Sequence, residues 1–500
     1  MDNASSGPLK AQFGVSGLDE VLCGGLTRNR IYLMEGHPGS GKTTLGFQFL
    51  LRGANRGEKG LYVTLSETKE ELLEVAASHH WPLSEHVEIV ELAPPETLLD
   101  ETQKQSLLYS SDLELTETTQ RLFEMIDRSK PSRVVIDSLS EIRLLAQSSL
   151  RYRREILALK HYFTQRKATV LLLDDLTADV TDKTVHSVAH GVTRLEELTP
   201  EYGAERRRLR VLKYRGQPFR GGYHDFTIKT GGVEVFPRLV AAEHRIRKAE
   251  RILGTGIEHL DQLVGGGIDS GSSTLIVGPA GTGKSLLVFQ FIAAAVRRGE
   301  HAALFAFDEE LGLLFSRSKA MGIDLERMRD DGNLVVIQVD AAEISPGEFA
   351  HKVRTAVENG NIQTVVIDSL NGYHNAMPDE RHLMLHMHEL LLYLNRVGAG
   401  TFLTVAQHGM VGEMKAPVDV SYLADTVIVL RYFEAFGEVR RAISVLKKRT
   451  GSHERTIREY EITSKGLKVG PVLQDFQGVL RGVPEYVARR RPTSENKSDQ

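Results

Sequence analysis

One eight-residue pattern occurs twice in the 500-residue sequence, at positions 36–43 and 278–285. Each copy has a glycine, four further residues and then Gly-Lys-Thr or Gly-Lys-Ser, between an apolar strand-like run and a helix-like run. In this pattern the backbone N–H groups surround a phosphate, and the lysine reaches the β- and γ-phosphates of a nucleotide. We therefore predict a nucleotide site in each half of the chain. The predicted binding residues of these loops are Gly36, Gly39, Ser40, Gly41, Lys42, Thr43, Thr44, Gly278, Gly281, Thr282, Gly283, Lys284, Ser285 and Leu286.

An aspartate that can hold a magnesium ion ends an apolar strand-like run in each half. Asp137 follows Val-Val-Ile, and Asp368 follows the same three residues. Such an aspartate, together with the hydroxyl group that ends the phosphate-binding pattern, holds Mg²⁺ in many ATP-hydrolysing enzymes. The predicted metal ligands are therefore Thr43 and Asp137 in the first half, and Ser285 and Asp368 in the second.

Hydrolysis also needs a carboxylate that accepts the proton of the attacking group. We expect it at the end of the strand next to the strand that leads into the phosphate-binding loop. The first half has Glu67 after Ser66, and the second half has Asp308 and Glu309. We predict that Glu67, Asp308 and Glu309 are catalytic, and the alternative is that acidic residues there only complement a helix dipole. One carboxylate is missing from the first half, because serine cannot act as a base at neutral pH.

A lysine and an arginine, separated by one residue, occur at matching places near the end of each half. They are Lys213 and Arg215 in the first half, and Lys447 and Arg449 in the second. On a strand, such residues share a face. A pair of this kind at a domain edge can reach the γ-phosphate that a neighbouring subunit binds. We predict this role for all four residues, with a solvent-exposed strand face as the alternative.

Both halves repeat one order of predicted secondary structure, which positions the residues described above. After each loop, apolar and β-branched strands alternate with helix-length segments, and further strands end each half. This alternation predicts an α/β fold of two tandem domains, each a mostly parallel sheet flanked by helices. We expect the domains at 11–240 and 249–488, a linker at 241–248, a flexible segment at 1–10 and a disordered tail at 489–500.

The composition is that of an ordinary water-soluble protein. Hydrophobic residues make up 41% of the sequence and charged residues 26%, and the formal net charge is −4. There is thus no overall basic field, and we do not expect nucleic acid as a partner. The single cysteine, Cys23, excludes internal disulfides. Since the apolar runs are too short to span a bilayer and the N-terminus lacks a secretory pattern, we predict a cytoplasmic protein without a membrane partner.

Together these motifs resemble the KaiC proteins of the RecA-type P-loop ATPase superfamily. The resemblance extends from Phe13 to Val487 and includes both phosphate loops, both aspartate strands, both Lys-x-Arg pairs and the segment 421–426. It implies two RecA-like ATPase domains, assembly into double-ringed homohexamers, and ATP with Mg²⁺ at the subunit interfaces. It also implies that the Lys-x-Arg pairs and His453 contact nucleotide, whereas the first domain has Phe219 in place of that histidine.

In that family the second domain phosphorylates itself on a serine–threonine pair. Here the matching positions are Ser421 and Tyr422, before Leu-Ala-Asp. The resemblance therefore implies serine autokinase activity, with Ser421 and Tyr422 as candidate phosphorylation sites. An ordered serine–threonine cycle is not expected, because the second acceptor is a phenol.

The predicted function is that of a KaiC-like hexameric ATPase with serine autokinase activity in its second domain, acting as an ATP-dependent signalling or timing scaffold. Expected partners are further copies of the chain and signalling proteins of a KaiB-like, response-regulator or kinase type. One alternative is a RecA-type DNA-dependent ATPase, such as a recombinase or helicase, which DNA-stimulated hydrolysis with a steep salt dependence would identify. The other is a nucleotide-gated scaffold without autokinase activity.

Overall fold

The computed structural model describes residues 9–92, 107–176, 184–200, 203–244, 251–307, 309–375, 383–407, 422–481 and 484–486. The chain divides into two compact units, Met1–Arg238 and Leu239–Gln500. Most of the predicted flexible segment 1–10, part of the predicted linker and all of 489–500 lie outside the described residues. Ala241, which we expected in the linker, is buried in the core of the second unit, and Arg396 Nη1 donates to its carbonyl at 3.1 Å.

The described residues of the first unit form one nine-stranded sheet and one two-stranded sheet. The strands are β1 (Lys10–Ala11), β2 (Leu26–Thr27), β3 (Ile31–Gly36), β4 (Gly60–Thr64), β5 (Val87–Glu91), β6 (Arg133–Asp137), β7 (Thr169–Asp175), β8 (Gly191–Leu198), β9 (Arg206–Tyr214), β10 (His224–Lys229) and β11 (Gly232–Phe236). The helices are α1 (Ser16–Val21), α2 (Lys42–Ala54), α3 (Lys69–Ser78), α4 (Leu107–Ser129), α5 (Leu139–Ala146), α6 (Ser149–Gln165) and α7 (Thr184–Val188).

The strand that leads into the first phosphate-binding loop, β3, lies at the centre of the large sheet. The strand order is β11-β10-β9-β8-β3-β7-β6-β4-β5. The strands from β5 to β8 in this order pair in parallel, and β8, β9, β10 and β11 pair antiparallel. Every residue of β3, β4 and β6 is buried, as expected for parallel strands that are covered on both faces.

The second unit repeats these elements. Its strands are β12 (Ile252–Leu253), β13 (Ile268–Asp269), β14 (Ser273–Gly278), β15 (His301–Ala306), β16 (Leu334–Gln338), β17 (Ile362–Asp368), β18 (Gly400–Ala406), β19 (Thr426–Ala435), β20 (Glu438–Lys448), β21 (Arg458–Thr463), β22 (Gly466–Val472), β23 (Phe476–Gln477) and β24 (Glu485–Tyr486). Its helices are α8 (Glu258–Leu263), α9 (Lys284–Arg297), α10 (Leu311–Ala320), α11 (Leu325–Asp330), α12 (Pro346–Gly360), α13 (Leu370–Asn375) and α14 (Leu383–Val397).

The large sheet of the second unit has the same topology as that of the first. Its order is β16-β15-β17-β18-β14-β19-β20-β21-β22, so that β14 takes the central place of β3. The strands from β16 to β19 in this order are parallel, and the remaining pairings are antiparallel. The predicted fold, with two tandem RecA-like domains that each have a mostly parallel sheet flanked by helices, is therefore confirmed.

Helices cover both faces of each large sheet. Alternate residues of β3 enter two separate cores: Tyr32 packs on the face of α2 together with Phe47, and Leu33 packs on the opposite face together with Ile156 of α6. Because helices cover the faces of the sheet, a ligand can meet polar side chains at the carboxyl ends of the parallel strands. In the described part of the chain, no helix is long and apolar enough to cross a membrane.

Our expectation about the place of the catalytic carboxylates in the sheet is wrong. Glu67 and Glu309 follow β4 and β15, which we expected beside the loop strands β3 and β14. Instead β6 and β7 lie between β4 and β3, and β17 and β18 lie between β15 and β14. A crossover helix can carry the chain past several strand positions, so neighbours in sequence need not be neighbours in a parallel sheet. The strand that lies directly beside β3, on the side towards β4, is β7.

Candidate nucleotide sites

The first phosphate-binding loop joins the end of β3 to the start of α2. Gly41 has a φ of 90°, and a Cβ there would lie 2.8 Å from Ile228 Cδ1, so the loop requires glycine at this position. Lys42 Nζ donates to the carbonyls of Gly36 and His37, each at 2.9 Å. These bonds fold the ammonium group back over the loop, where it can meet a phosphate.

The second loop has the same geometry and opens on a cavity. Gly283 has a φ of 91°, with Ile462 Cδ1 2.8 Å from where its Cβ would be. Lys284 Nζ donates to Pro279 O at 2.8 Å, and burial lowers the pKa of this lysine. The cavity has a volume of about 230 Å³ and is lined by Gly281, Gly283, Lys284, Ser285, Leu286, Phe289, Arg317, Ser318, Met321 and Ile462. It therefore lies beside the place where the phosphates of a nucleotide would bind.

The other predicted loop residues lie in these loops or in the first turns of α2 and α9. Gly39 and Gly281 have φ values of 81° and 76°. Ser40 and Thr44 are buried, and Ser40 Oγ has no hydrogen-bond partner among the described residues. Thr282 Oγ1 donates to the carbonyl of Pro279 at 2.8 Å. The glycines with positive φ and the hydrogen bonds within each loop therefore hold most of the loop conformation.

The predicted metal ligands of the first site are brought together. Thr43 Oγ1 donates to Asp137 Oδ2 at 3.2 Å, and Tyr62 OH donates to the same oxygen at 2.6 Å. Burial raises the pKa of Asp137. In the described residues no group of three acidic, histidine or cysteine side chains can hold a metal by itself. Mg²⁺ is commonly held by one or two protein groups together with phosphate oxygens, and Thr43 and Asp137 provide two such groups.

The second site supports its aspartate differently. Thr404 Oγ1, on β18, donates to Asp368 Oδ1, and Ser285 lines the cavity beside the loop. In the first unit the supporting hydroxyl comes instead from Tyr62 on β4. Sequence reasoning missed both hydroxyl groups, because neither belongs to a motif and each depends on which strand lies beside the aspartate strand.

Glu67 enters the first site from the segment after β4. Thr64 holds its backbone, since Thr64 Oγ1 donates to Glu67 O at 2.7 Å and accepts from Glu67 N at 3.0 Å. Its Oε2 atom is buried without a hydrogen-bond partner in the described part of the chain. Burial raises the pKa of Glu67, and the charges of Asp137 and Asp175 raise it further. Ser66 is exposed. A carboxyl with a raised pKa and an unoccupied oxygen is suited to accept a proton.

Glu309 has the matching place in the second site. Arg317 Nη2 lies 2.7 Å from Glu309 Oε2. Burial raises the pKa of Glu309, the charge of Asp368 acts in the same direction, and Arg317 opposes them. Asp308, the other predicted catalytic residue, lies outside the described residues.

An acidic residue that sequence reasoning missed contacts the first loop lysine. Asp175 ends β7, directly beside Gly36 at the end of β3, and its Oδ1 lies 2.7 Å from Lys42 Nζ. The signal was present in the sequence, because Asp174 and Asp175 follow a predicted apolar strand as Asp137 does. The first site thus contains the carboxylates of Glu67, Asp137 and Asp175 around one lysine.

The family described as "ATPase: KaiC" matches the sequence over residues 11–240 and 253–474. The chain belongs to the KaiC family of ATPases. Each matching segment contains one phosphate-binding loop with its aspartate and glutamate, so the chain carries the KaiC ATPase domain twice.

Relatives named as KaiC proteins match nearly the whole chain. The circadian clock oscillator protein KaiC of Prochlorococcus marinus (strain MIT 9313) is 29% identical over 488 residues, which is 96% of each chain. The circadian clock protein KaiC3 of Synechocystis is 27% identical over 497 residues, which is 98% of this chain and 97% of the relative. The circadian clock oscillator protein KaiC of Thermostichus vulcanus is 28% identical over 479 residues, or 95% and 91% of the two chains. The similarity therefore includes both KaiC domains.

In the first KaiC domain the Lys-x-Arg pair lies at the opposite end of the sheet from the loop. Arg215 N donates to His190 O, and His190 N donates to Ile31 O, each at 2.8 Å. Ile31 begins β3 and Gly36 ends it, so Arg215 lies about 16 Å from the loop along the strand direction. Lys213 is paired with Val192, which is paired with Leu33 in the middle of β3. Its side chain donates to the carbonyl of His186 in α7. The structure does not bring this pair to the loop of its own unit.

The second KaiC domain has the same arrangement. Arg449 N donates to Asp425 O at 2.9 Å, and Asp425 N donates to Ser273 O at 2.8 Å. Ser273 begins β14 and Gly278 ends it, which again separates the arginine from the loop by about 16 Å. Lys447 Nζ donates to Ala424 O at 2.8 Å. Both Lys-x-Arg pairs are therefore far from the nucleotide site of their own unit.

Tyr422, one of the two candidate phosphorylation residues, contacts the second Lys-x-Arg pair. Arg449 Nη2 donates to Tyr422 O at 3.2 Å, and the Tyr422 side chain is 57% exposed. Ser421 lies outside the described residues. His453 follows β20 and is partly buried, whereas Phe219 packs against the core of the first unit.

A buried ionic cluster lies one residue before the loop in the first KaiC domain. Glu35 is 3% exposed, accepts from Arg194 Nε at 2.7 Å and lies 2.7 Å from His186 Nε2. Burial opposes ionisation, but the hydrogen bonds from His186 and Arg194 outweigh it and hold the pKa of Glu35 below its ordinary value. Asp174, beside Glu35, pairs with Arg143. The positions of Glu35, Asp174 and Arg194 are occupied in the second domain by Val277, Val405 and Val429.

This cluster predicts a pH effect on the stability of the first unit. Burial raises the pKa of Asp174 to about 6, although the ion pair with Arg143 acts in the opposite direction. Because the folded pKa lies above the unfolded value, the contribution to stability is complete below about pH 4 and is lost as the pH rises to about 6. Relative to D174N, which does not titrate, the wild-type free energy of unfolding should fall by about 3 kcal/mol over this interval. Urea unfolding at several pH values measures it, and a difference that is independent of pH contradicts it.

Proposed function

We propose that the chain forms a homohexamer in which each ATP lies between two subunits, bound by the loop of one and the Lys-x-Arg pair of the next. The observation that carries this proposal is the position of Arg215 and Arg449, at the end of the sheet opposite to the loop of their own unit. The separation exceeds the reach of a side chain, so a site that contains both elements requires a second copy. A head-to-tail contact of this kind generates a closed ring when the rotation between copies closes.

In each proposed site, the residues of one subunit bind the phosphates and activate water. Lys42 or Lys284 orients the β- and γ-phosphates, and Mg²⁺ held by the neighbouring hydroxyl and aspartate neutralises their charge when it is bound. Glu67 or Glu309 accepts the proton of the attacking water. The arginine of the next copy stabilises the charge on the transferred phosphoryl group. The reaction class is ATP hydrolysis.

We also propose that the second domain transfers the γ-phosphoryl group to Ser421 of the adjacent copy. Ala424 and Tyr422 are hydrogen-bonded to Lys447 and Arg449, so residues that closely follow Ser421 in the sequence lie beside this pair. The serine oxygen forms a bond to the γ-phosphorus as the bridging bond to ADP breaks, and Glu309 accepts the serine proton. The exposed Tyr422 phenol is a second candidate acceptor of the phosphoryl group, on a longer side chain than that of serine.

Radiolabelled ATP tests the autokinase proposal. After incubation with [γ-³²P]ATP and Mg²⁺, we expect label on Ser421 in the wild type, loss of this label in S421A, and retention in Y422F. Mass spectrometry of the labelled peptides assigns the position. If neither residue is labelled while ATP is hydrolysed normally, the autokinase part is wrong and the ATPase part remains.

We further propose that nucleotide state and phosphorylation make the assembly a signalling or timing scaffold. The relatives named as circadian clock proteins support this role, because they match the chain over nearly its full length. Light scattering after size exclusion, with and without ATP and Mg²⁺, tests the assembly. A monomer under all conditions would exclude sites between subunits.

A further inference from the structure

The first KaiC domain contains a carboxylate that holds its loop lysine. Asp175 Oδ1 lies 2.7 Å from Lys42 Nζ, and the exposed fractions of the two side chains are 28% and 7%. Asp175 ends β7, the strand next to β3, and is paired in register with Gly36, the first residue of the loop. The ion pair therefore joins the loop to the neighbouring strand at the point where phosphates would bind.

The second domain has no carboxyl group at the matching position. Ala406 ends β18 and is paired in register with Gly278, as Asp175 is with Gly36. The next residues also correspond, because Leu176 N donates to Gly36 O and Gln407 N donates to Gly278 O. Lys284 Nζ donates to Pro279 O, and the strand position that carries the Asp175 carboxylate in the first domain carries the Ala406 methyl group in the second.

We propose that Asp175 is a functional residue of the first nucleotide site, whose carboxylate competes with the nucleotide phosphates for Lys42 and thereby weakens nucleotide binding at that site. The proposal rests on the proposed function only in taking 36–43 as a phosphate-binding loop. It predicts one difference between the two sites, because the second site has Ala406 at the matching position.

The competition follows from charge and distance. The Lys42 ammonium must leave Asp175 to reach the β- and γ-phosphates, so binding breaks a contact at 2.7 Å. The carboxylate that remains has the same sign of charge as the phosphates and repels them. Both effects raise the free energy of the bound state relative to the nucleotide-free state. They also favour the release of ADP, which keeps the charge of its β-phosphate.

The test distinguishes this role from one other, in which the Asp175 carboxylate takes part in hydrolysis. Ser66 occupies the place of a carboxylate in the first site, and Asp175 could supply the missing group for hydrolysis. In that case removing its charge slows the chemical step and leaves affinity nearly unchanged. Competition for Lys42 has the opposite pattern, in which removing the charge tightens binding and changes the chemical step little.

The experiment measures binding of a fluorescent ADP analogue, with Mg²⁺, to the full chain. The variant K284A disables the second site, so that the first site is observed alone. On this background D175N, which keeps the size of the side chain and removes its charge, should lower the Kd about tenfold. The rate constant for hydrolysis of bound ATP in a single turnover, which does not include ADP release, should change much less than the Kd.

The reciprocal variant places the competitor in the second site. On the K42A background, which disables the first site, A406D should raise the Kd of the second site about tenfold. An unchanged Kd in D175N overturns the proposal, and a single-turnover rate constant that falls at least tenfold at that unchanged Kd assigns Asp175 to hydrolysis instead. An unchanged Kd in A406D overturns it as well.

One control separates this proposal from the proposed function. The double variant K42A/K284A should bind the analogue at neither site. If it binds like the wild type, the loops are not the nucleotide sites and the proposed function itself is wrong. If the double variant does not bind and D175N still has the parent's affinity, only the role of Asp175 is wrong.

Discussion

Replacing Glu309 with glutamine is expected to slow ATP hydrolysis at the second site about a thousandfold. Glutamine keeps the size of the side chain but cannot accept the proton of the attacking water. Burial raises the pKa of Glu309, so hydrolysis at this site should also decline as the pH falls through that raised pKa, because the protonated acid is not a base. Steady-state ATPase assays of E309Q on the K42A background measure the effect.

The same change in the first site gives a matched comparison. E67Q on the K284A background should lose turnover by at least as large a factor, because Ser66, unlike Asp308 in the second half, offers no second base. E70Q, which changes an exposed glutamate at the start of α3, is the control and should keep the parent's turnover. A turnover within about twofold of the parent in E67Q or E309Q would show that these carboxylates are not the bases.

Replacing Arg449 or Arg215 with alanine is expected to reduce turnover at the corresponding site by a factor of about 1,000 or more. The reason is that the guanidinium group stabilises charge that develops on the transferred phosphoryl group, and water cannot replace it in a closed site. R440A is the matched control, because Arg440 lies near the other end of β20 and pairs with Glu438. Assays of R449A on the K42A background and of R215A on the K284A background separate the two sites. If R449A keeps the turnover of R440A, the arginine does not act on ATP.

Much of the fold was predictable because the parallel strands are nearly all apolar and the phosphate loops have a distinctive spacing. The order of strands in the sheet was not predictable, since a crossover helix can pass over one strand or several. This explains why Glu67 was expected beside β3 while Asp175, at the end of the true neighbour β7, was missed. A motif identifies residues along the chain, whereas neighbours across a sheet depend on topology.

The same limit applies to the groups that support the metal-site aspartates. Tyr62 on β4 and Thr404 on β18 donate to Asp137 and Asp368 from opposite sides of the aspartate strand. Because the two halves use different strands for this contact, comparing their sequences position by position does not reveal it. The absence of a carboxylate at Ser66 was visible in the sequence, and the structure adds Asp175 and the Glu35 cluster as further differences between the two sites.

The central claim is that each ATP site is completed by a second copy of the chain. It is tested most directly by mixing K42A/K284A subunits, which keep their arginines, with R215A/R449A subunits, which keep their loops, before ATP-dependent assembly. Each variant alone should be nearly inactive. An equal mixture should recover about a quarter of wild-type ATP hydrolysis, because one interface in four combines an intact loop with an intact arginine. If mixed assemblies form and no activity returns at any ratio, or if R215A/R449A alone is fully active, the sites are not completed by a second copy.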